Sequence, residues 1–405
     1  MTKTQLKTLD DAPLAPKELI FGDSPYDVLR RMREKAPIAR TDVGVTLALR
    51  NRHFELVTSD ATRQIETETK LMQGITDGPI YDFTRLAMLF TNGETHIRRR
   101  LPVARTFAFK LMQAMRPRIR DIAEDLIGSK IGVGPVDFVS DIASQFPARI
   151  IAEILGIPDS DVPTFLNWIQ DTASALGMID PAQRDQIEAS LNAFYDYVAD
   201  LLDQRRKNPQ EDFVTEYVRK TAEAGNLGED EIRTQLLGLI LAGSDTTRGS
   251  ICMILSELLQ HPQQWTDLTA DPDGLKRAAV EEGMRYQPLV SGIPRIAMRD
   301  IEIDGYLVPK GAVIAISIIS ALRDPEIFSE PDRFNIHRAD QQRWHFGFGA
   351  GAHRCVGEAL ARAEMEEMLA TIARMAPNTK LIGDPPILMP AAIRQVGPMT
   401  VAFEA

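Results

Sequence analysis

The stretch Phe348-Gly349-Ala350-Gly351-Ala352-His353-Arg354-Cys355-Val356-Gly357 decides how this chain is read. It holds one of only two cysteines, in a glycine-punctuated loop beside basic residues and ahead of a helical run. Arg354 and the N-terminal end of a helix expected from about Cys355 both favour a thiolate over a thiol. Gly349 and Gly351 lack a Cβ, so the backbone there can take positive φ and lie close against something flat. A metal in a planar macrocycle, held by one sulfur, suits that arrangement. Three other readings stand beside it. A free cysteine is most often a small buried hydrophobe. His345, His353 and Cys355 could be drawn as a zinc site, although structural zinc takes four ligands in paired spacings and no second cysteine is near. A nucleophilic cysteine needs a base and an orienting group, and the sequence singles out neither.

The loop resembles the haem-binding signature of the cytochrome P450 superfamily: Phe, Gly, any, Gly, any, His, Arg, Cys, any, Gly. Every fixed position is met. The resemblance implies haem b, with Cys355 as metal ligand and Phe348 and Gly349 in its binding site. A thiolate ligand pushes electron density onto iron and favours O–O cleavage.

Working outward, 405 residues at 44% hydrophobic can bury a large core. No linker, repeat or low-complexity segment divides the chain, so residues 1–405 are expected to form one domain. There is no run of about 18 apolar residues and no signal peptide, and two cysteines make no disulfide framework. A cytoplasmic protein is expected, without a membrane partner. The net charge of −11 argues against nucleic acid. Within that acidity, His96 to Arg100, Arg105, Arg116, Arg118, Arg120, Arg354 and Arg362 form basic islands, which are usually solvated faces.

Apolar residues at helical spacing predict helices over Leu111–Ile127, Val136–Leu155, Gln183–Arg205 and Glu229–Gln260, with Pro117 and Pro147 starting or breaking two of them. After Arg285 the pattern turns to strands at 295–298, 301–306 and 312–316, with Asp304-Gly305 as a hairpin turn. Helix returns from Cys355 to about Arg374, and short strands follow. The expected fold is mainly α with small β-sheets. Its order resembles the cytochrome P450 fold, in which a long central helix lies over the haem.

Glu229–Gln260 reads as one helix of roughly 30 residues, about 45 Å long and largely buried. In its middle stand Ala242-Gly243-Ser244-Asp245-Thr246-Thr247, weaker helix formers than the surrounding leucines. Thr246 can bond a carbonyl one turn back, near Ala242, and Gly243 allows a bend and a groove. A tolerated polar patch on a surface face is the plainer reading. The hexapeptide also resembles the superfamily's oxygen-activation motif. That resemblance implies Thr246 as a hydrogen-bond donor in oxygen activation, Asp245 as a proton relay and Ala242 against the haem. A buried carboxylate suits relay work.

Other assignments follow from the same resemblance. Glu282 and Arg285, by themselves a common surface pair at i and i+3, match the superfamily's Glu-any-any-Arg, with Arg333 as the later arginine of a buried cluster. His96, Arg100, Arg295 and His353 are implied as partners of the haem propionates, where an arginine fork binds carboxylate well. Any one of them could instead face solvent. Met88, Leu89, Leu241, Val290, Ile293 and Ile393 are implied as substrate contacts, with Ala242, Thr246, Leu289 and Ala391 nearby. Thr84, Arg85 and Ser291 lie close enough in sequence to anchor a polar group. Two departures stand out: Asn92-Gly93-Glu94-Thr95 replaces the usual Asp-Pro-Pro-Glu, and Leu322 stands where Asn is common.

The resulting expectation is a monooxygenase that inserts one atom of O₂ into a small or medium apolar molecule. Electrons would come from NAD(P)H through a ferredoxin reductase and an iron–sulfur ferredoxin. The arginines near the cysteine loop and on the segment of Arg98 to Arg105 suggest a positive docking face, with a reduction rate that falls as salt rises. A peroxide-using relative, a haem sensor without turnover and a cysteine-dependent hydrolase are the alternatives.

Overall fold

The computed structural model describes residues 6–16, 19, 25–107, 114–158, 160–341, 346–389 and 391–405. His345 and the start of one expected helix, Leu111, lie outside them. The organising element is the central helix, Glu229–Gln260, 32 residues long, or about 48 Å. Glu229, Asp230 and Glu231 occupy its first turn, where negative charge meets the positive end of the helix dipole. Glu231 also accepts the Gly228 backbone N–H at 3.0 Å. At the other end, Nδ1–H of His261 donates to the Glu257 carbonyl at 2.7 Å, and Pro262 opens the next helix. Ile251 to Leu255 are each at most 3% exposed, as a helix enclosed on every side requires. Helices Gln145–Leu155, Arg184–Lys207, Pro272–Tyr286 and Glu358–Met375 pack around it.

Twelve short strands are named in chain order: β1 (Ile38–Arg40), β2 (Thr46–Ala48), β3 (Thr62–Gln64), β4 (Pro135–Asp137), β5 (Gly292–Ala297), β6 (Ile301–Ile303), β7 (Tyr306–Val308), β8 (Val313–Ser317), β9 (Lys380–Ile382), β10 (Leu388–Met389), β11 (Gln395–Val396) and β12 (Thr400–Ala402). The largest sheet runs β1-β2-β8-β5-β3, with β2 and β8 parallel. Its register sets Gln64 opposite Arg295. Ile38, Ala48, Ile314 and Ile316, all fully buried, form its core face. The β6–β7 hairpin turns at Asp304 and Gly305, with φ of 48° and 83°. Positive φ at both positions is the type I′ geometry that Asp-Gly favours.

One expected helix is corrected. Val136–Leu155 begins as strand β4, paired with β12 at the C-terminus, then passes through a π-helical turn at Val139–Ala143 before the α-helix starts at Gln145. Pairing with a strand more than two hundred residues away leaves no trace in local periodicity. Pro147 sits in the first turn of that helix and Pro117 in the first turn of Arg116–Gly128, where the missing N–H costs nothing.

A second correction concerns the buried charge cluster. Arg285 holds the fully buried Glu282 bidentately at 2.7 and 2.8 Å. The second guanidinium on Glu282 belongs to Arg338, at 3.1 Å, not to Arg333. Arg333 lies exposed against Glu330 and offers the cluster only its carbonyl, to Arg285 at 3.1 Å. The backbone N–H of Asn335 completes the carboxylate's partners at 2.7 Å. Glu282→Ala would leave the buried Arg285 guanidinium without a counter-charge, Arg338 keeping Asp340 at 3.1 Å, so it should destabilise by about 3–5 kcal/mol. Arg333→Ala should change stability by no more than about 0.5 kcal/mol. Denaturant melts of both variants distinguish the two arginines.

Near the cavity described below, segments 70–73 and 177–179 clasp each other. Lys70, 1% exposed, donates to the Gly177 carbonyl. Gln73 bonds both ways with the Ile179 backbone, at 2.8 and 3.4 Å. Burial pushes the Lys70 ammonium down to about 8. Between that value and the ordinary lysine range near 10.5, the unfolded chain binds a proton that the folded chain does not. Lys70 therefore makes stability rise with pH across that window. Lys70→Met should remove this slope and stabilise the protein below about pH 8, as melting temperatures against pH will reveal.

Candidate active site

Between the central helix and the cysteine loop lies a cavity of about 370 Å³. The loop is short and over-determined. Gly349 and Gly351 have φ of 70° and 64°, which a side chain rarely tolerates, and a Cβ on Gly351 would meet Thr58 at 3.0 Å. The Cys355 backbone N–H donates to the Phe348 carbonyl at 2.8 Å, which folds the loop back on itself. The following helix begins at Glu358 rather than at Cys355. Cys355 lines the cavity, and its exposed surface lies there. Phe348 and Gly349 line it too, with the Arg362 guanidinium 4.7 Å from the Phe348 ring centre.

Burial pushes the Cys355 thiol up; the Gly357 N–H pulls the other way, Glu358 adds to the rise, and Arg100 and Arg354 oppose it without reversing the shift. Arg354 does not act as a free cation beside the sulfur. Its guanidinium donates to the Gly349 carbonyl at 3.1 Å and pairs with Glu358 at 2.6 Å. A thiolate here therefore needs a positive partner in direct contact with the sulfur.

The basic residues expected around this cavity do converge on it. His96, Arg100, Arg295 and His353 all line it. The ring nitrogens of His96 face the carbonyls of Met88 and Ala352 at 2.8 and 3.1 Å. Its ring centre is 3.9 Å from that of His353. Arg100 donates to the Arg354 carbonyl. Arg295, 2% exposed, donates to Gln64 and to the Pro294 carbonyl. Among the described residues neither arginine has a carboxylate partner. Burial lowers Arg295 to about 10. Burial, with His96, Arg295 and Arg100 adding to it, drives His353 down to about 3. Buried cations without a counter-charge are costly, and an anionic group in the cavity would relieve them.

The arginines outside the cavity behave oppositely. Arg98 and Arg99 both pair with Glu231, at 2.6 and 2.8 Å. Arg116 pairs with Glu366 and Glu367, Arg120 with Glu367, and Arg362 with Glu358 and Glu281. The expected positive face is thus largely neutralised by carboxylates of the same protein.

From the central helix, Ala242, Gly243, Thr246, Thr247 and Ser250 form one wall. The helix stays continuous there, and the Thr246 hydroxyl donates to the Ala242 carbonyl at 3.2 Å, one turn back as its position suggests. Asp245 is not among the lining residues. Its carboxylate pairs with Arg248 and accepts the Gln395 amide at 3.0 Å. It is a paired group rather than an isolated buried acid.

The apolar lining differs in part from expectation. Met88, Leu89, Leu289, Val290 and Ile293 line the cavity. Leu241, 1% exposed, packs in the core instead, because one step along the helix turns it about 100° from Ala242. Ile393 is not among the lining residues, although it forms a β-bridge with Val290, which is. Ala391, Thr84, Arg85 and Ser291 do not line it either. The Thr84 hydroxyl donates to Ile80 at 2.9 Å, and Arg85 pairs with Asp82 on the surface at 2.8 Å. Phe83, Ile151, Ile154, Leu155 and Leu176 complete the lining. Only tertiary packing brings them in, and no local motif marks them. Glu364 also lines the cavity, with one carboxylate oxygen lacking a partner. Burial holds it well above the usual carboxylate range.

The cytochrome P450 family model matches residues 17–271 and 275–375. The chain is 41% identical over 369 residues to the plant-inducible cytochrome P450-pinF1 of Rhizobium radiobacter, covering 90% of this chain and 86% of that one. It is 33% identical over 289 residues to the mycinamicin IV hydroxylase/epoxidase of Micromonospora griseorubida, covering 71% of each. Among solved structures, cytochrome P450 CYP109Q5 from Chondromyces apiculatus superposes with a TM-score of 0.85 at 27% identity, covering 96% of this chain and 97% of that one. Myxobacterial CYP267B1, solved with myristic acid, gives 0.86 at 29% identity, covering 96% and 99%. A family match of this extent, with a relative this similar over nearly the same length, makes the chain a cytochrome P450, a haem-dependent oxidoreductase.

Proposed function

We propose that this protein is a monooxygenase for small or medium apolar substrates, with Cys355 as its haem ligand and Thr246 and Asp245 serving proton delivery. The observation that carries the reading is the content of one cavity. It holds a sulfur, two guanidiniums without a carboxylate partner among the described residues, and the hydroxyl of a threonine on the central helix. Haem b fits this set: ferric iron supplies the cation that a thiolate needs, and two propionates supply the anions that Arg100 and Arg295 lack. When bound, it provides the thiolate-ligated iron at which O₂ is activated.

The protein's own part is orientation, desolvation and proton movement. Arg100, Arg295, His96 and His353 would hold the propionates; Phe348, Gly349 and Ala242 would lie against the ring. Phe83, Met88, Leu89, Leu176, Val290 and Ile293 would enclose an apolar substrate body and keep water from it. Thr246 Oγ1 makes a long bond to the Ala242 carbonyl, so its proton can be redirected into the cavity at little cost. Asp245 must turn its carboxylate away from Arg248 to pass a proton toward Thr246. Hydroxylation or epoxidation fits this reading, as the named activity of one relative does. A ferredoxin and its NAD(P)H-dependent reductase are the proposed electron source. Residues 1–405 are read as one domain in a cytoplasmic setting.

Reduced and exposed to carbon monoxide, the protein should show the strongly red-shifted Soret band of thiolate-ligated haem, and Cys355→His should lose it. A wild-type band typical of histidine-ligated haem would overturn the ligand assignment.

Thr246→Ala should bind substrate and accept electrons, yet release much of the consumed oxygen as peroxide. Asp245→Asn should slow turnover by about 10²-fold, the usual scale for a proton-transfer group. Product formed per NAD(P)H consumed, with peroxide assayed in parallel, separates the two effects. Wild-type coupling and rate in both variants would sink the relay.

A further inference from the structure

We propose that Gln235 is a positioning residue that fixes the cavity wall at Ala87–Leu89, and so sets which apolar molecules the cavity accepts. This inference rests on the reading of the cavity as the haem and substrate chamber of a monooxygenase.

A glutamine in a protein interior is costly unless its amide is matched. Gln235 is 1% exposed on the central helix, and it lines the cavity. Its Oε1 accepts the Met88 backbone N–H at 2.7 Å. Its Nε2 donates to the carbonyls of Leu86 and Glu231, each at 2.9 Å. Both amide hydrogens are thus engaged by the chain itself, so the side chain cannot donate to a substrate without releasing one. What it holds is backbone.

That backbone is a helix end. Helix Gly78–Leu86 stops at Leu86, and the last carbonyls of a helix have no partner within it. Side chains of two other elements supply partners here. Arg99, on helix Gly93–Thr106, donates to the Arg85 carbonyl at 2.9 Å, and Gln235 takes the Leu86 carbonyl. Past the helix end, Gln235 holds the Met88 N–H, and the Met88 carbonyl faces His96 Nδ1 at 2.8 Å. The peptide groups on both sides of Met88 are therefore pinned, one to the central helix and one to helix Gly93–Thr106.

Ala87, Met88 and Leu89 line the cavity from this segment. Met88–Phe90 is a single three-residue 3₁₀ turn, and Leu89 is 40% exposed. A turn this short is not held by its own hydrogen bonds, so its place is set by the groups that grip it. Selection by apolar walls works best when they are ordered before the ligand arrives, because ordering them on binding costs affinity. Gln235 supplies that order from a rigid support. It lies two turns from Ala242 and three from Thr246 along one continuous helix, and these spacings put all three on one face. The wall is thereby registered against the threonine, while Gln235 itself acts only through Met88.

The test titrates the holoenzyme with ligands that bind haem iron through nitrogen: imidazole and its 4-propyl, 4-hexyl and 4-phenyl derivatives, followed by the Soret shift. The wild type should prefer one substituted member over imidazole. Gln235→Met, similar in length and without the hydrogen bonds, should lower that preference about tenfold, because Met88 and Leu89 must then be ordered on binding. Its affinity for imidazole and its thiolate–carbon monoxide band should match the wild type. Hydrogen exchange in a peptide spanning 86–91 should quicken at least about fivefold, with 251–255 unchanged. In a Met88→Ala/Leu89→Ala background, Gln235→Met should alter the preference less than about twofold, since the side chains it acts through are gone. Gln235→Glu keeps an acceptor for the Met88 N–H but lacks the two donors. It is the second variant should Gln235→Met fail to fold, and should lower the preference at least about threefold. An unchanged preference in whichever variant folds, equal weakening of imidazole and its derivatives, or a full effect in the double-alanine background overturns the proposal. So does a wild type that binds every member equally. Loss of folded protein in both variants overturns it too, since Gln235 would then hold the fold rather than the wall. Absence of the thiolate–carbon monoxide band in the wild type would refute the haem-thiolate reading itself, and the inference with it.

Discussion

Buried positive charge without a counter-charge is the constraint around which this molecule is arranged. Arg295 is almost completely enclosed, yet among the described residues its donors reach an amide and a carbonyl and no carboxylate. Among the described residues Arg100 reaches a carbonyl and no carboxylate, and His353 is held neutral by burial and by its basic neighbours. Such a set is unfavourable in a protein interior unless something anionic completes it. A carboxylate-bearing cofactor whose metal also meets Cys355 resolves both problems together. It offsets the guanidiniums and stabilises the sulfur as thiolate. Folding and cofactor binding should therefore be strongly coupled in this protein.

The same logic divides the arginines into two populations. Those facing the cavity lack carboxylates, whereas Arg98, Arg99, Arg116, Arg120, Arg354 and Arg362 are each matched by a glutamate. Glu358 is a local i,i+4 partner of Arg354 and Arg362, whereas the glutamates facing Arg98, Arg99, Arg116 and Arg120 come from distant elements. Glu231 opens the central helix, and Glu358, Glu366 and Glu367 lie on the helix after the cysteine loop. These pairs tie the basic helix to the rest of the fold, and little of their charge projects outward. The Glu282–Arg285–Arg338 cluster is the buried counterpart, fully satisfied by backbone donors and acceptors.

The central helix reconciles two demands that usually conflict. Its stretch Ile251–Leu255 is apolar and buried on every side and anchors the core, while its middle turns offer small and hydroxylated residues to the cavity. Hydrogen bonds from Ser244 to Ile240 and from Thr246 to Ala242, at 3.1 and 3.2 Å, keep those polar groups satisfied inside the helix. Asp245 is satisfied by Arg248 on the next turn of the same helix and by Gln395 on β11. The Gln395 amide ties its carboxylate to the short β10–β11 sheet.

What the sequence alone determined was local chemistry with a strong short-range signature. The cavity's cations, spread over three segments, were implied only by the resemblance to the cytochrome P450 superfamily, whereas the cysteine loop, the central helix from Glu229 to Gln260 and the Asp-Gly hairpin were legible directly. Each of the latter rests on spacing, backbone permissiveness or a motif within one segment. What only the tertiary structure decided was pairing across the chain. It turned Val136–Asp137 into a strand against the C-terminus and chose Arg338 over Arg333 for Glu282. It withdrew Leu241 and Ile393 from the cavity in favour of Phe83, Ile151 and Leu176. It also set Glu231 against Arg98 and Arg99, so that a run of arginines ceased to be a positive face. The physical reason is common to all of these. A side chain's burial, partner and net charge depend on what packs opposite it, and that neighbour is usually far away in sequence.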